Sequence, residues 1–420
     1  MAAPKLRFKE FDGDWSESKL KDCIDSIDSG WSPQCESYPA DENEWAVLKT
    51  TSVNWDGFKA NFNKKLPSNL EARFEIEVKP NDILVTRAGP TERVGVVAVV
   101  PHNVRSKLMI SDKLIRLKAD NENNPEFLGI SLSSVKCQNQ LQSKTSGLAK
   151  SQTNISQKIL CDVSLMTPAK AEQTKIASFL SAVDEKISQL TQKHELLSQY
   201  KQGMMQKLFS QQIRFKADDG SEFGEWEKIK FLDLMVDLWD YRGKTPKKLG
   251  MDWGDGEIQS LSALNIKKGF IDFDADCHLG SEKLYKTWMN KGDLEKDDII
   301  FTMEAPLGNV ALIPDDRKYI LSQRVVCFKT NKKMIDNKFI FQLILSDQFQ
   351  SRIEELATGT TAKGINQKSM QKIEVTLPPK DEQTKIASFL SAIDQKVDVV
   401  AQQIEQAKTW KKGLLQQMFV

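Results

Sequence analysis

The residue types that could carry chemistry are few and scattered along this chain. It has three histidines, His102, His194 and His278, and six cysteines, none of which form a C-x-x-C pair. His278 follows Cys277, but no cluster of further ligands accompanies the pair, so the pattern does not indicate a zinc site. We expect reduced cysteines in a cytoplasmic protein.

Nucleotide-binding and nucleophile motifs are also missing. Residues 243–245 (Gly-Lys-Thr) look like the end of a P-loop, but the position that requires the earlier glycine holds Leu238. No G-x-G-x-x-G motif follows a strand pattern, and no G-x-S-x-G motif occurs. The sequence therefore predicts no catalytic centre, no bound metal and no cofactor of the chain's own.

Local charge is more informative than the formal net charge of +1. Residues 127–161 contain no Asp or Glu, and neither do residues 356–373, while each stretch carries several lysines. Either stretch alone could be a solvated loop. Because the two occupy matching places in the repeat described next, we interpret them as segments that contact phosphates.

The element that organises the chain is an exact internal repeat. The eleven residues 172–182, Glu-Gln-Thr-Lys-Ile-Ala-Ser-Phe-Leu-Ser-Ala, return unchanged as residues 382–392, half of the 420-residue length later. Such self-similarity indicates a duplicated architecture.

Each copy of this phrase begins a long helical pattern. Apolar residues follow at alternating four- and three-residue steps, which is typical of a coiled-coil seam. The predicted seam residues are Ile176, Leu180, Val183, Ile187, Leu190, Ile386, Leu390, Ile393, Val397 and Val400. Lys201 and Lys411 occupy polar seam positions, and we interpret Gly203 and Gly413 as points of close helix approach or of a local break.

Two globular units precede these helices. Strand signals recur at residues 82–86 and 298–302, each followed by a Gly/Pro loop and another apolar run, at residues 94–100 and 310–313. Residues 30–33 (Gly-Trp-Ser-Pro) and 243–246 (Gly-Lys-Thr-Pro) are matching turns. We predict mixed α/β (α+β) units at residues 1–165 and 213–376, with spacer helices at residues 166–212 and 377–420. Outside these anchors the two units differ almost everywhere in sequence.

Connectivity predicts the arrangement. The first helix ends near Phe209 and the second unit begins near Ile213, so the second helix must run back if the seams pack together. We expect an antiparallel two-helix coiled coil that separates the globular units, a pseudo-two-fold axis, and chain ends that lie near each other. No apolar run reaches the length of a membrane span, and the N-terminus lacks the apolar core of a signal peptide.

The repeat resembles the specificity subunit of type I restriction-modification enzymes. The likeness covers the whole chain: two unlike recognition domains, each followed by a near-identical helix whose start carries a Pro-x-x-x-Glu-Gln motif, at residues 168–173 and 378–383. Residues 155–158 (Ile-Ser-Gln-Lys) and 365–368 (Ile-Asn-Gln-Lys) strengthen it.

The resemblance implies a non-catalytic DNA reader. Each recognition domain would bind one half of a split, asymmetric DNA site, and the helix pair would act as a ruler for the spacer between the halves. Two methyltransferase subunits would dock on the chain, and two restriction subunits would complete the full complex. S-adenosylmethionine, ATP and Mg are then expected on those partners.

Base readout favours Arg, Lys, Asn and Gln, and phosphate contact favours basic and hydroxyl side chains. We select candidates from the loops after the aligned strands, the matching turns and the acid-free segments. They are Thr86, Arg87, Arg93, Lys150 and Gln152 in the first half, and Arg242, Lys244, Thr302, Thr361 and Lys363 in the second.

Two other functions are weighed against this one. A coiled-coil adaptor that joins proteins without reading DNA predicts an assembled complex with no salt-dependent DNA binding. An autonomous nuclease or methyltransferase would need the motifs that the sequence lacks.

Overall fold

The computed structural model describes residues 4–145, 153–359 and 362–419. The chain divides into two compact units. Unit 1 comprises Met1–Leu190 together with Gln402–Val420, and unit 2 comprises Thr191–Ala401. Each boundary falls inside one of the long helices, so each unit includes part of both.

Unit 1 contains short strands and helices, and its last two strands alternate with helices. Its strands are β1 (Ser16–Lys19), β2 (Ile24–Ser29), β3 (Ala46–Leu48), β4 (Val53–Asn54), β5 (Gly57–Phe58), β6 (Asn63–Lys65), β7 (Ile83–Thr86), β8 (Ala88–Gly89), β9 (Val97–Val99), β10 (Leu108–Met109), β11 (Leu114–Ala119), β12 (Thr153–Asn154) and β13 (Ser164–Thr167). Its helices are α1 (Pro125–Ser133), α2 (Val135–Gln142), α3 (Gln157–Cys161) and the first part of α4 (Lys170–Phe209).

A four-stranded antiparallel sheet in the order β2-β11-β7-β9 forms the centre of unit 1. Alternate side chains of a strand point to opposite faces. Accordingly, Ile83 and Val85 of β7 pack with the helices, whereas Leu84 packs in a second core with the three-stranded sheet β10-β3-β6. Burial on both faces explains why this strand is a continuous apolar run.

Over the described residues, unit 2 has a similar order of strands and helices, with fewer short strands and one additional helix, α5 (Glu282–Trp288). Its strands are β14 (Glu227–Lys230), β15 (Met235–Asp240), β16 (Ile258–Leu261), β17 (Leu279–Gly280), β18 (Ile299–Thr302), β19 (Val310–Leu312), β20 (Ile320–Leu321), β21 (Val325–Thr330) and β22 (Glu374–Leu377). Its helices are α5 (Glu282–Trp288), α6 (Asn337–Leu345), α7 (Asp347–Leu356), α8 (Gln367–Met370) and the first part of α9 (Lys380–Met418).

The sheet order is the same in the two units despite their different sequences. Unit 2 has the four-stranded sheet β15-β21-β18-β19 and the three-stranded sheet β17-β16-β20, which match those of unit 1 strand for strand. Ile299 and Phe301 face the helical core, and Ile300 faces the second core. The predicted mixed units and the predicted strands at both aligned positions are confirmed.

The start of each long helix shows why Glu and Gln recur there. Glu172 is 1% exposed and accepts hydrogen bonds from Arg7 Nε and Nη2 (2.7 Å each) and from Trp15 Nε1 (3.3 Å). Gln173 donates to the oxygens of Pro168 and Asn123 and accepts from the backbone N–H of Asn124. The carboxylate therefore fixes the beginning of the chain, and the amide fixes the segment before α1.

The second copy makes the same contacts with its own residues. Glu382 accepts from Arg214 Nε (3.1 Å), Arg214 Nη2 (2.8 Å) and Trp226 Nε1 (3.0 Å). Gln383 bonds to Pro378 O and accepts from the backbone N–H of Asp336. The motif is thus a structural anchor in both repeats.

Helices α4 and α9 are continuous over 40 and 39 residues. In unit 1, Ile176, Leu180 and Val183 share a core with Leu414 and Met418 near the end of α9. In unit 2, Ile386, Leu390 and Ile393 share a core with Met205 and Leu208 near the end of α4. Within each unit the early part of one helix meets the late part of the other, as an antiparallel pair does.

All ten predicted seam positions are buried or half-buried: Ile187 and Val397 are half-buried, and the other eight are buried. The interpretation of Gly203 and Gly413 is wrong, because both helices run through these positions without a break. A Cβ at either glycine would meet nothing within 4 Å, so no close helix approach requires them.

The two ends of the chain meet in unit 1. The backbone N–H of Leu6 donates to Gln417 O at 2.9 Å. The ring of Phe419 stacks on Phe127 with the centroids 5.5 Å apart. The expectation that the termini lie near each other is confirmed.

Candidate nucleic-acid interface

The predicted segments converge at one end of the four-stranded sheet of unit 1. Strand β2 ends at Ser29 and β7 at Thr86, while the antiparallel neighbours β11 and β9 begin there at Leu114 and Val97. Residues 30–33 follow β2, and the loop that contains Arg87 and Arg93 follows β7. Both therefore lie at the same end of the sheet.

The acid-free segments join the same place. In unit 1, β12, in the acid-free stretch, pairs with β8 in the loop after β7, and Ile155 N donates to Arg87 O at 2.9 Å. In unit 2, Gly364 bridges to Glu304, and Ile365 N donates to Met303 O at 2.9 Å. Each unit thus combines three predicted segments in one surface, which we call the sheet-end surface.

The matching turns keep their glycines for different reasons. Trp31 N donates to Ile110 O (3.1 Å), and a Cβ on Gly30 would come within 1.7 Å of that oxygen, so the close approach requires glycine. Gly243 has open space around it but a φ of +83°, which L side chains rarely adopt. The turns also present different side chains, since Trp31 occupies the place of Lys244.

Thr86 and Thr302 do not reach this surface. Each is 0% exposed, and each hydroxyl bonds to the backbone of the loop that follows, at residues 93–96 and at Asn309. Their selection as contact residues is corrected, because buried side chains have no surface to offer DNA in this conformation. They instead close the turn after the central strand in each unit.

Arg93 has a structural role in unit 1. Its guanidinium donates to Asn54 Oδ1 (2.8 Å), Thr50 O (3.0 Å) and Val53 O (2.9 Å). These bonds hold the β4–β5 hairpin and occupy both terminal nitrogens. Arg87 is half-exposed, and its guanidinium makes no hydrogen bond with any residue that the structure describes.

The two basic candidates on the turn of unit 2 are partly engaged. Arg242 donates from Nε and Nη2 to Asp240 at 2.6–3.0 Å. The burial of Asp240 opposes its charge, but the hydrogen bonds from Arg242 outweigh burial and lower the pKa of this carboxyl. Lys244 Nζ donates to Trp288 O (3.0 Å) and Asn290 Oδ1 (3.3 Å), and desolvation lowers its pKa.

The remaining candidates lie on the acid-free segments. Lys363 is exposed and forms an ion pair with Glu354 at 2.5 Å. Lys150, Gln152 and Thr361 lie outside the described residues.

Several exposed residues of the sheet-end surface were not selected from the sequence. Lys113 and Arg324 each precede the strand next to the central one, and their carbonyls accept from Arg87 N (2.8 Å) and Met303 N (2.9 Å). The sequence pattern that could have identified them is a basic residue directly before the apolar runs that form β11 and β21. Arg73 lies over the ring of Trp31, 4.1 Å from its centroid, and no local pattern predicts that contact.

Other kinds of site are not evident in the described ranges. No group of three or more His, Cys, Asp and Glu residues there could hold a metal ion. All six cysteines are free. No helix within those ranges is both long and apolar enough to cross a membrane.

Comparison with known proteins gives a consistent result. The family model described as "Type I restriction modification DNA specificity domain" matches residues 13–199 and 224–409. The chain is 25% identical over 424 residues to the putative type I restriction enzyme MjaX specificity subunit of Methanocaldococcus jannaschii, covering 98% of this chain and 94% of that protein. It is 40% identical over 166 residues to the type I restriction enzyme EcoEI specificity subunit of Escherichia coli, covering 39% of this chain but only 28% of the relative.

Solved structures share the fold. The crystal structure of a type I restriction-modification system S subunit from M. genitalium aligns with a TM-score of 0.63 at 15% identity, covering 100% of this chain and 99% of that one. The two family matches fall on the two repeats, and together they cover most of the sequence. The chain belongs to the family of type I restriction-modification specificity subunits.

Proposed function

We propose that this chain reads a two-part, asymmetric DNA site, with unit 1 binding one half and unit 2 the other. One observation carries the proposal: the same three segments converge at the same sheet end in both units, while the side chains presented there differ. The half-exposed Arg87 of unit 1 corresponds to Met303 of unit 2, which is buried, so unit 2 presents no cation there. The exposed Lys113 of unit 1 corresponds to the exposed Arg324 of unit 2. A common backbone with different side chains suits two readers of different sequences.

The long helices then serve as the spacer ruler. At 1.5 Å per residue, helices of 40 and 39 residues are each roughly 60 Å long. Their antiparallel contacts within each unit give the pair a fixed register. We infer that this register sets the number of unspecified base pairs between the half-sites.

Two methyltransferase subunits are the partners that dock on this chain, and two restriction subunits complete the assembly. Ser178 and Ala182 are exposed, and so are their repeats Ser388 and Ala392. Internal packing does not require identity at exposed positions, so their identity supports two copies of one external partner. This chain is non-catalytic in the proposal, and S-adenosylmethionine, ATP and Mg act on the partner subunits.

The decisive experiment maps methylated adenines by sequencing DNA treated with the assembled methyltransferase complex. Seven residues, one heptad, inserted after both Leu190 and Val400 preserve the seam and lengthen the pair by about 10 Å, or roughly three base pairs. We expect a longer spacer and unchanged half-sites. Seven residues inserted at the exposed Asp219–Gly220 turn serve as the control and should change neither.

Exchange of residues 1–165 for the domain of another family member tests the division into two readers. We expect one half-site to change and the other to stay. An altered half-site with an unchanged spacer after the helix insertion, or two altered halves after the exchange, contradicts the proposal. An assembled complex without salt-dependent DNA binding would instead support the adaptor role.

A further inference from the structure

Unit 2 contains a cleft of about 620 Å³ at its sheet-end surface. Its lining includes Lys244, Lys247, Trp253, Ser262, Gln323 and Arg324, and we call it the unit 2 cleft. Ala305, in the loop after β18, also lines it. The cleft therefore opens where the turn after β15 and the loop after β18 meet, and its lining also includes the acidic residues Asp252 and Asp276. Its volume is in the range of ligand sites.

The floor of the cleft is a rigid aromatic group. The ring of Trp253 stacks on His278 with centroids 5.2 Å apart and an interplanar angle of 13°, and it contacts Trp288 at 5.5 Å. Trp288 is 1% exposed, and its Nε1 donates to Leu321 O at 2.8 Å. Because these contacts fix the floor, the cleft is formed before any ligand arrives.

The rim presents side chains that can read bases. Gln323 and Arg324 lie in the turn between β20 and β21, and both are exposed. Arg324 has a φ of 67°, in the left-handed region, and its guanidinium has one long ion pair, 3.8 Å to Glu304 Oε1. Non-glycine residues in this region are uncommon and cluster at functional sites.

Unit 1 is different at the corresponding place. Trp31, in the position of Lys244, packs against the second core and under the guanidinium of Arg73. Lys113, in the position of Arg324, does not adopt a positive φ. The open cleft with an arginine–glutamine rim is thus a feature of the unit 2 surface and not a consequence of the shared fold.

We propose that unit 2 reads its half-site at this cleft, with Gln323 and Arg324 as the specificity-determining residues and Lys247 as a phosphate contact. Arginine pairs with the O6 and N7 edge of guanine, and glutamine pairs with the N6 and N7 edge of adenine. Lys247 is exposed on the turn beside the rim. This inference rests on the proposed function and names the residues that carry it out in unit 2.

The test uses the assembled methyltransferase complex and a DNA library in which both half-sites are randomised in turn. Arg324→Ala and Gln323→Ala should each relax base preference by roughly 5- to 150-fold at one position of the half-site that unit 2 reads. Lys247→Ala should weaken methylation of all sequences alike and reduce the salt dependence. Lys333→Ala, an exposed lysine beyond the other end of β21, is the control and should change nothing.

Unchanged base preference in both rim variants overturns the inference, and so does a change confined to the half-site of unit 1. If Arg324→Ala does not assemble, Gln323→Ala decides the question by the same base-preference readout. A wild-type complex that methylates without sequence preference contradicts the proposed function itself, which distinguishes that failure from failure of this inference.

Discussion

Lys201 Nζ lies 2.5 Å from Asp394 Oδ1, and the repeat places Lys411 Nζ 2.6 Å from Asp184 Oδ1. Each pair joins α4 to α9. Lys201 and Lys411 occupy the same position in the two repeats, and so do Asp184 and Asp394. The polar residues in the apolar seam are therefore paired across the two helices. Such pairs fix register more than they add stability.

A double-mutant cycle with Lys201→Ala and Asp394→Ala should give a coupling free energy of about 0.5–1 kcal/mol, because both side chains are only partly buried. Asp394→Ala should cost more than Lys201→Ala, since Asp394 Oδ2 also accepts from the buried amide of Gln342 at 2.7 Å. Denaturant unfolding measures both effects. The same cycle at Lys411 and Asp184 should give a smaller coupling because Asp184 is 53% exposed, and a larger one contradicts this account.

Glu172→Ala should lower the unfolding free energy of unit 1 by about 2–4 kcal/mol, because the three donor groups of Arg7 and Trp15 lose their buried acceptor. Glu382→Ala should do the same to unit 2. Hydrogen exchange followed by mass spectrometry assigns each loss to its unit. Glu185→Ala, at an exposed position of the same helix, is the control. Equal effects of Glu172→Ala and Glu185→Ala would show that the anchor is not structural.

Arg93→Lys should loosen the β4–β5 hairpin although it keeps the charge, because a single ammonium nitrogen cannot replace both Nη1 and Nη2, which reach different acceptors. We expect the free energy of local opening across residues 50–58 to fall by about 1–2 kcal/mol, as measured by amide hydrogen exchange. Arg87→Lys is the matched control and should leave the hairpin unchanged. Full protection in Arg93→Lys with weaker DNA binding would instead restore Arg93 as a contact residue.

Asp240 should make unit 2 sensitive to acid. Burial raises the pKa of Asp240, but the hydrogen bonds from Arg242 lower it by more, so the pKa in the folded protein is below the ordinary value of about 3.9. The contribution of Asp240 to the free energy of unfolding is therefore present above about pH 3.9 and is lost as the pH falls through the pKa of the folded protein. Asp240→Asn should therefore lose less unfolding free energy than the wild type between about pH 5 and pH 2. Asp255→Asn removes an exposed carboxylate of the same unit and should follow the wild-type curve.

Local patterns predicted the elements of this fold well. The apolar runs at residues 83–86 and 299–302 became central strands because both faces of each are buried, and the 3.5-residue period identified α4 and α9. The internal repeat added the antiparallel helix pairing. These features depend on residues that are close in sequence or on segments that are identical in the two repeats. Both can be recognised in a single sequence.

The site was only partly predictable because it depends on contacts between distant residues. Thr86 looks like a loop residue until Val96 and Arg93 fold over its hydroxyl. Arg93 looks like a free cation until residues 50–54 supply its acceptors. Conversely, Arg324 was missed because its position at a cleft depends on strands that pair only in the folded unit.

The closing contact between Leu6 and Gln417 has a consequence for biosynthesis. Unit 2 is contiguous in sequence, whereas unit 1 lacks Leu414, Met418 and Phe419 until residues 414–419 have been translated. We expect unit 2 to fold on the ribosome while unit 1 still has an exposed apolar groove. A nascent-chain protease assay that found the first unit already resistant before residue 402 emerged would contradict this order. A truncated mRNA would thus yield a misfolded protein that is readily degraded, and not a specificity subunit with relaxed DNA-sequence preference.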